Sequence, residues 1–380
     1  MKVWLASVGV IAVVALLLFG YAHLRTDTYL GRWFAWRASD VGDMEGDLLE
    51  QPLEVSRRGA LTVTNLGELL ATSDTISLVV LREGKVLMEW YAAGPPATAG
   101  DQPVTTFSVS KSVTSLLVGA ALADGLIESL EDPITQYLPE YRSVDPGYEG
   151  VTVRHLLAMR SGIRFRDHDL PWGDKARVYY EPRLRDHVSR LGLEASAGGD
   201  LKYNSYNSVV LGLLLERVTG GSVAEYAERR LWDPLGAEYP ASWSVSGPGE
   251  TLAKMESGFN ARPIDLARIG QLLLDGGVVP TGSDDDRRIL PQEWMDGSMA
   301  TQPEDLVDPS TGLHYSLGWW VYAPDANRPY AVSAQGHLGQ YLFVYPEQRV
   351  VIARFGRSLG GVGSWRSVFD WLAVTAASAG

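Results

Sequence analysis

The apolar positions of this chain are arranged in three patterns. The first is a continuous run. From Val3 to Leu24, VWLASVGVIAVVALLLFGYAHL contains no Asp, Glu, Lys or Arg. As a helix it would span about 33 Å, enough for a bilayer core of about 30 Å. It reads either as an uncleaved membrane anchor (residues 1–25) or as a signal peptide cut after Gly20-Tyr21-Ala22. Its length favours the anchor, and both readings place the rest of the chain periplasmic or extracellular. The second pattern is strand-like. ISLVVL and KVLMEWY flank Arg82-Glu83-Gly84-Lys85, which predicts a hairpin. LGWWVYA and QYLFVYPEQRVVIARFG repeat the pattern near the C-terminus, the latter turning at Pro346-Glu347-Gln348. The third is helical. SVSKSVTSLLVGAALADG runs into the punctuation at Asp124-Gly125. VTVRHLLAMRSGI predicts a helix stopping at Ser161-Gly162. Tyr206–Gly236 predicts two helices split at Gly220-Gly221 and closed by Pro234. ARPIDLARIGQLLLDGG predicts another, and a last amphipathic helix spans about Ser364 to Ala377.

The order is strands, a long helical middle, strands and a helix. It predicts an α/β (α+β) fold in which early and late strands share one antiparallel sheet flanked by helices, with an all-helical lobe beside it. Residues 26–58 read as a linker and N-terminal extension. The folded domain then covers 59–378, with an α/β lobe at about 59–110 and 310–378 and a helical lobe at about 111–309. The 380 residues suffice for this, and 46% hydrophobic content supports a packed core. A net charge of −13 argues against nucleic acid and anionic membrane surfaces as partners. The absence of cysteine removes disulfides, thiolate metal sites and cysteine nucleophiles. Oligomeric state is not legible.

The chemistry starts with an oddity at the mouth of an apolar helix. Ser108 and Lys111 form S-x-x-K just ahead of SLLVGAAL. Serine at a helix start is ordinarily an N-cap. A lysine in the first turn opposes the helix dipole and is costly to bury unless paired or neutralised. Three residues apart, the two share a helix face, so the amine can reach the hydroxyl. A desolvated lysine can then activate a serine for attack on a carbonyl. Two further stretches carry candidate groups: Tyr203 and Ser205 just before a helix, and His337-Leu338-Gly339 at the head of a strand. GRSLG (Gly356–Gly360) imitates a nucleophile elbow, but all six histidines precede Ser358, whereas that fold needs one after it. No Walker loop, H-E-x-x-H or EF-hand pattern occurs, so nothing in the sequence supports a cofactor or metal. The loop Phe165–His187 is aromatic-rich and is expected to rim a cleft, its aromatics either lining an acyl pocket or packing on the surface.

In this order, Ser108-Val109-Ser110-Lys111, Tyr203-Asn204-Ser205 and His337-Leu338-Gly339 resemble the three motifs of the serine β-lactamase and penicillin-binding-protein superfamily, on its class C side. The H-x-G form and YNSYNSVVLGLLLERVTG are most similar to the 6-aminohexanoate-dimer hydrolase branch, which is esterase-like. The resemblance implies a serine hydrolase of small amides or esters. Ser108 would form an acyl-enzyme, and Lys111 and Tyr203 would move its proton. The backbone N–H groups of Ser108 and Gln340 would hold the oxyanion, and Ser205, His337 and Gly339 would contact substrate. Histidine in place of the usual lysine at 337, and serine in place of asparagine at 205, both weaken the expectation of efficient β-lactam hydrolysis. A peptidoglycan DD-peptidase and a non-catalytic penicillin-sensing or scaffold protein are the alternatives.

Overall fold

The computed structural model describes residues 54–57, 60–92, 103–168, 170–249, 251–279, 286–324 and 329–378. The expected anchor or signal segment lies outside these. Among the described residues no helix is long and apolar enough to cross a membrane.

An eight-stranded antiparallel sheet organises the molecule. Its spatial order is Leu306–Asp308, Leu313–Ser316, Trp319–Tyr322, Ala331–Gly336, Gln340–Tyr345, Val350–Gly356, Thr75–Arg82 and Lys85–Tyr91. The early hairpin therefore joins the late strands through the pairing of Val350–Gly356 with Thr75–Arg82. Glu83 (φ 50°) and Gly84 (φ 77°) make the two-residue turn, the left-handed pair that the twist of a hairpin prefers.

The central strands are apolar at nearly every position because both faces are covered. Leu78, Val80, Phe343, Tyr345, Val350 and Ile352 point to one side, where they pack with Leu66–Thr72 and Trp365–Ser378 helix residues such as Leu70, Phe369 and Leu372. Val79, Leu81, Leu342, Val344, Val351 and Ala353 point to the other, larger core. That core includes the Ser110–Ala123 and Ser205–Thr219 helices.

Three local expectations change. The helix expected over 151–161 covers only Val153–Leu157, because Met159 turns left-handed (φ 59°) before Gly162. Pro234 does not close its helix. It sits in the first turn of Asp233–Leu235, where its missing N–H costs nothing, and Gly236 in the left-handed conformation makes the stop. The helix Pro263–Leu274, expected within the helical lobe, instead crosses the sheet. Ala267 and Leu273 join the core shared with Val351 and Leu342, and Gly270 lies so close that a Cβ there would meet Val351 Cγ1 at 2.5 Å.

Candidate active site

The segment Thr105–Lys111 turns a corner between a short strand and a long buried helix. Phe107–Val109 is one turn of 3-10 helix, and Ser110–Ala123 continues as α-helix. Ser108 is therefore not the cap of the α-helix. Val109 occupies that position and offers no side-chain cap. The hydroxyls crowded into this stretch divide their work. Thr105 Oγ1 donates to Asn260 Oδ1 at 2.6 Å and Thr106 Oγ1 to the Phe259 carbonyl at 2.9 Å. Ser110 Oγ accepts from Phe259 N at 3.0 Å. Ser112 donates to the Gly318 carbonyl at 2.7 Å and Thr114 to the Met255 carbonyl at 2.9 Å. These bonds fasten the helix start to the 255–260 segment and to the sheet. Ser108 instead lines a cleft of about 400 Å³.

Lys111 is 3% exposed, and its Nζ lies 3.0 Å from Ser108 Oγ. A second N–H donates to the Glu256 carbonyl at 2.8 Å, which aims the amine across the helix mouth. The amine also sits 5.1 Å from the centre of the Tyr203 ring. Tyr203 is stacked on Trp320 (centroids 5.6 Å apart, 20° between planes) and meets Tyr315 edge-on at 5.7 Å. Two aromatic neighbours thus fix the tyrosine that lines the cleft with Ser108, Ser205 and His337. Asn204, the middle residue of the second motif, has a structural task. Its Oδ1 accepts from Tyr206 N at 2.9 Å to cap the Ser205–Thr219 helix, and its Nδ2 donates to the Ile163 carbonyl at 2.8 Å.

The third motif makes a tight turn between two strands, with Leu338 at φ 62° and Gly339 at φ 81°. His337 faces the cleft, its ring edge-on to Phe107 at 5.6 Å. Gly339 and Gln340 differ from expectation. The Gly339 carbonyl accepts from Arg354 Nη1 at 2.7 Å, and a Cβ on residue 339 would meet that nitrogen at 2.2 Å. Gly339 is thus a place for the buried arginine, and the structure does not bring it into the cleft lining. The Gln340 N–H, expected as an oxyanion donor, donates to the His337 carbonyl within the turn. The Gln340 side chain is locked to Gly356, donating to its carbonyl at 2.6 Å and accepting from its N–H at 3.1 Å. Ser358, in the elbow-like GRSLG, donates to Asp74 at 2.7 Å and accepts from Gly360 N at 2.8 Å, as a loop residue does.

The Phe165–His187 loop does rim the cleft, contributing Phe165, Asp167, Lys175, Val178, Tyr179 and Tyr180. Asp167 and Lys175 pair with each other at 2.7 Å. A hydrogen-bonded relay holds this rim. Asp174 accepts from the Arg166 guanidinium at 3.1 Å and from Tyr206 Oη at 3.1 Å, and Tyr206 Oη lies 3.0 Å from His187 Nε2. Burial of Asp174 works against its charge, yet the Arg166 bonds hold its carboxyl below the usual range. Burial pulls the His187 imidazole down.

Sequence reasoning missed Glu256 and Phe107, whereas Tyr179 belongs to the aromatic loop expected to rim the cleft. Glu256 is fully buried in the cleft wall. Its Oε1 accepts from Ser257 Oγ at 2.7 Å, and its Oε2 has no partner. Burial pushes its carboxyl up, outweighing the nearby Lys254 and Lys111 charges. A lone acid in KMES gives no periodic or motif signal. Phe107 was adjacent to the recognised motif, but its backbone was not foreseeable. It stands at φ 48°, a left-handed conformation that costs a bulky residue about 1–3 kcal/mol and tends to occur at functional sites.

This arrangement defines a serine hydrolase on a β-lactamase scaffold. The chain belongs to the beta-lactamase family, whose model matches residues 66–376. It is 30% identical over 313 residues to the 6-aminohexanoate-dimer hydrolase of Paenarthrobacter ureafaciens, covering 78% of this chain and 76% of that one. It is 26% identical over 190 residues to the lovastatin esterase of Penicillium rubens, covering 45% and 46%. A solved structure from Bacillus anthracis, assigned provisionally as a 6-aminohexanoate-dimer hydrolase, superposes with a TM-score of 0.74 at 22% identity, covering 89% of this chain and 88% of that one.

Proposed function

We propose that the protein cleaves small, uncharged amide or ester bonds through an acyl-enzyme on Ser108. The observation that carries this reading is the 3.0 Å approach of Lys111 Nζ to Ser108 Oγ at the floor of an open cleft. In its neutral form Lys111 takes the hydroxyl proton as Oγ attacks the carbonyl. Tyr203, fixed beside the amine by Trp320 and Tyr315, passes a proton to the leaving amine or alkoxide and later helps to activate water. The Ser108 N–H, at the positive end of a helix, is the first oxyanion donor. The Gln340 N–H becomes the second only when it releases the His337 carbonyl, a change of one hydrogen bond in a three-residue turn.

The substrate class follows from the walls. Position 337 carries histidine where lysine would bring a permanent cation, and the mouth charges Asp167 and Lys175 neutralise one another. Both favour an uncharged substrate over one held by its carboxylate. The 6-aminohexanoate-dimer hydrolase and the lovastatin esterase among the relatives support amide or ester bonds as the class cleaved. The uncharged run Val3–Leu24 supports delivery of the domain to the outer face of the cytoplasmic membrane.

Intact-mass spectrometry of wild type and Ser108→Ala with a fluorophosphonate, a p-nitrophenyl ester and a penicillin tests the assignment. The expected result is one adduct on wild type only, with ester turnover and little penicillin trapping. A long-lived penicilloyl adduct would point to a DD-peptidase. No adduct on folded wild type would remove Ser108 as the nucleophile.

A further inference from the structure

Phe107 precedes the serine and has three unusual properties together. Its backbone is left-handed at φ 48°. Its ring stacks on Tyr179, with centroids 5.9 Å apart and 28° between planes, and receives His337 edge-on at 5.6 Å. Its backbone is pressed against Gly336, where a Cβ would meet the Thr106 carbonyl oxygen at 2.3 Å and Phe107 Cβ at 3.3 Å. Tyr179 is itself anchored. Its carbonyl accepts from the buried Lys254 amine, which also lies 4.8 Å above its ring. Both rings line the cleft and are only half-buried. The left-handed turn thus holds an aromatic side chain against the cleft at the residue bonded to the nucleophile.

We propose that Phe107 and Tyr179 form the acyl-binding wall of the enzyme, and that Phe107 determines specificity for esters and amides whose acyl group is flat and apolar, an aryl or arylalkyl group above all. This rests on Ser108 being the nucleophile. The acyl group stays bonded to Ser108 Oγ after the leaving group departs, so the ring one residue away is placed to pack on it. An aromatic acyl group gains stacking contacts there that an acetyl group is too small to make.

The test varies the acyl group while the leaving group stays constant. The measured quantity is the ratio of kcat/KM for p-nitrophenyl phenylacetate to that for p-nitrophenyl acetate. Phe107→Gly accepts the left-handed backbone and removes the ring. It is expected to lower the ratio about tenfold, mostly through KM for the phenylacetate. That is the scale of one lost aromatic contact plus its buried area. Phe107→Tyr keeps the ring and should restore the wild-type ratio. Should Phe107→Gly fail to fold, Tyr179→Ala carries the same expectation from the other ring. A ratio unchanged in Phe107→Gly or Tyr179→Ala, with both esters losing equally, overturns the inference. Ser108→Ala run in parallel separates the two levels. If it still hydrolyses both esters, the nucleophile assignment is wrong, whatever the ratio does.

Discussion

At the scale of single residues, the site depends on how a buried amine and a buried acid are kept apart. Lys111 bonds to the Glu256 carbonyl, while the Glu256 carboxyl is turned to Ser257 with one oxygen unpartnered. A carboxylate so placed is poorly compensated, and burial accordingly raises its pKa. The folded state then binds this proton more tightly than the unfolded chain, where a glutamate titrates near 4.3. Stability from this group is fully present below that unfolded value. It is lost as the pH rises from there through the folded pKa. Glu256→Gln has the shape of the protonated acid and does not ionise. Its Tm relative to wild type should therefore rise as the pH is raised from 4 to 8. A difference constant across that range would show that Glu256 does not titrate abnormally. Lys111→Ala removes the proposed proton acceptor and leaves Ser108 Oγ without its amine. Loss of a positioned general base typically costs about 10²–10⁴ in rate. Ester kcat/KM should fall by that order, with KM changing less than kcat, whereas a purely structural lysine would show mainly in Tm.

At the scale of elements, the third motif is placed by two close approaches that no side-chain pattern announces. Gly336 lets the end of an interior strand touch the Thr106–Phe107 backbone. Gly339 lets Arg354 reach its carbonyl. Arg354 is fully buried, and among the described residues no carboxylate pairs with its guanidinium. It bonds instead to Thr75 Oγ1 and to the Gly339, Ser73 and Ser358 carbonyls, and it stacks on Trp365 at 3.8 Å. Burial pulls its pKa down to about 9. Gly336→Ala forces a methyl into a backbone oxygen, so the turn must move away from Ser108. We expect ester kcat to fall more than tenfold, while Tm drops only a few degrees because the strand itself persists. Loss of Tm without loss of kcat would show that this strand end does not position the site. The sequence made the helices and strands around this turn legible through their periodicity, and the order of the three motifs made Ser108, Lys111, Tyr203 and His337 legible as a set. It did not disclose that the Gln340 N–H is used inside the turn or that Gly339 serves Arg354. The first depends on the tight conformation of the turn and the second on a contact between residues 15 apart in the chain, at positions that look like ordinary turn residues. Glu256 was missed because its role comes from what packs on it and not from its neighbours in sequence.

At the scale of the whole molecule, the site belongs to no single element. Ser108 and Lys111 come from the start of a helix whose hydroxyls are tied to residues 255–260 and to Gly318. Tyr203 comes from the entry to a second helix but is held by Trp320 and Tyr315 of the sheet. His337 comes from the turn between two sheet strands, and the rim from the 165–187 loop. The larger apolar core runs through both the sheet and the helical middle, including Val79, Leu117, Leu214 and Val344. With one core shared in this way, the helical part cannot melt alone without exposing the sheet face under it. The catalytic constellation should therefore be lost at the same step as global structure, and not by an earlier local opening. Urea titrations of folded wild type can follow fluorophosphonate labelling of Ser108, tryptophan fluorescence and far-UV circular dichroism in parallel. All three midpoints should coincide. Labelling that disappears at lower urea, with fluorescence and dichroism intact, would show that the rim and third-motif turn open as a separate unit. Their hold on the site would then be weaker than the shared core implies.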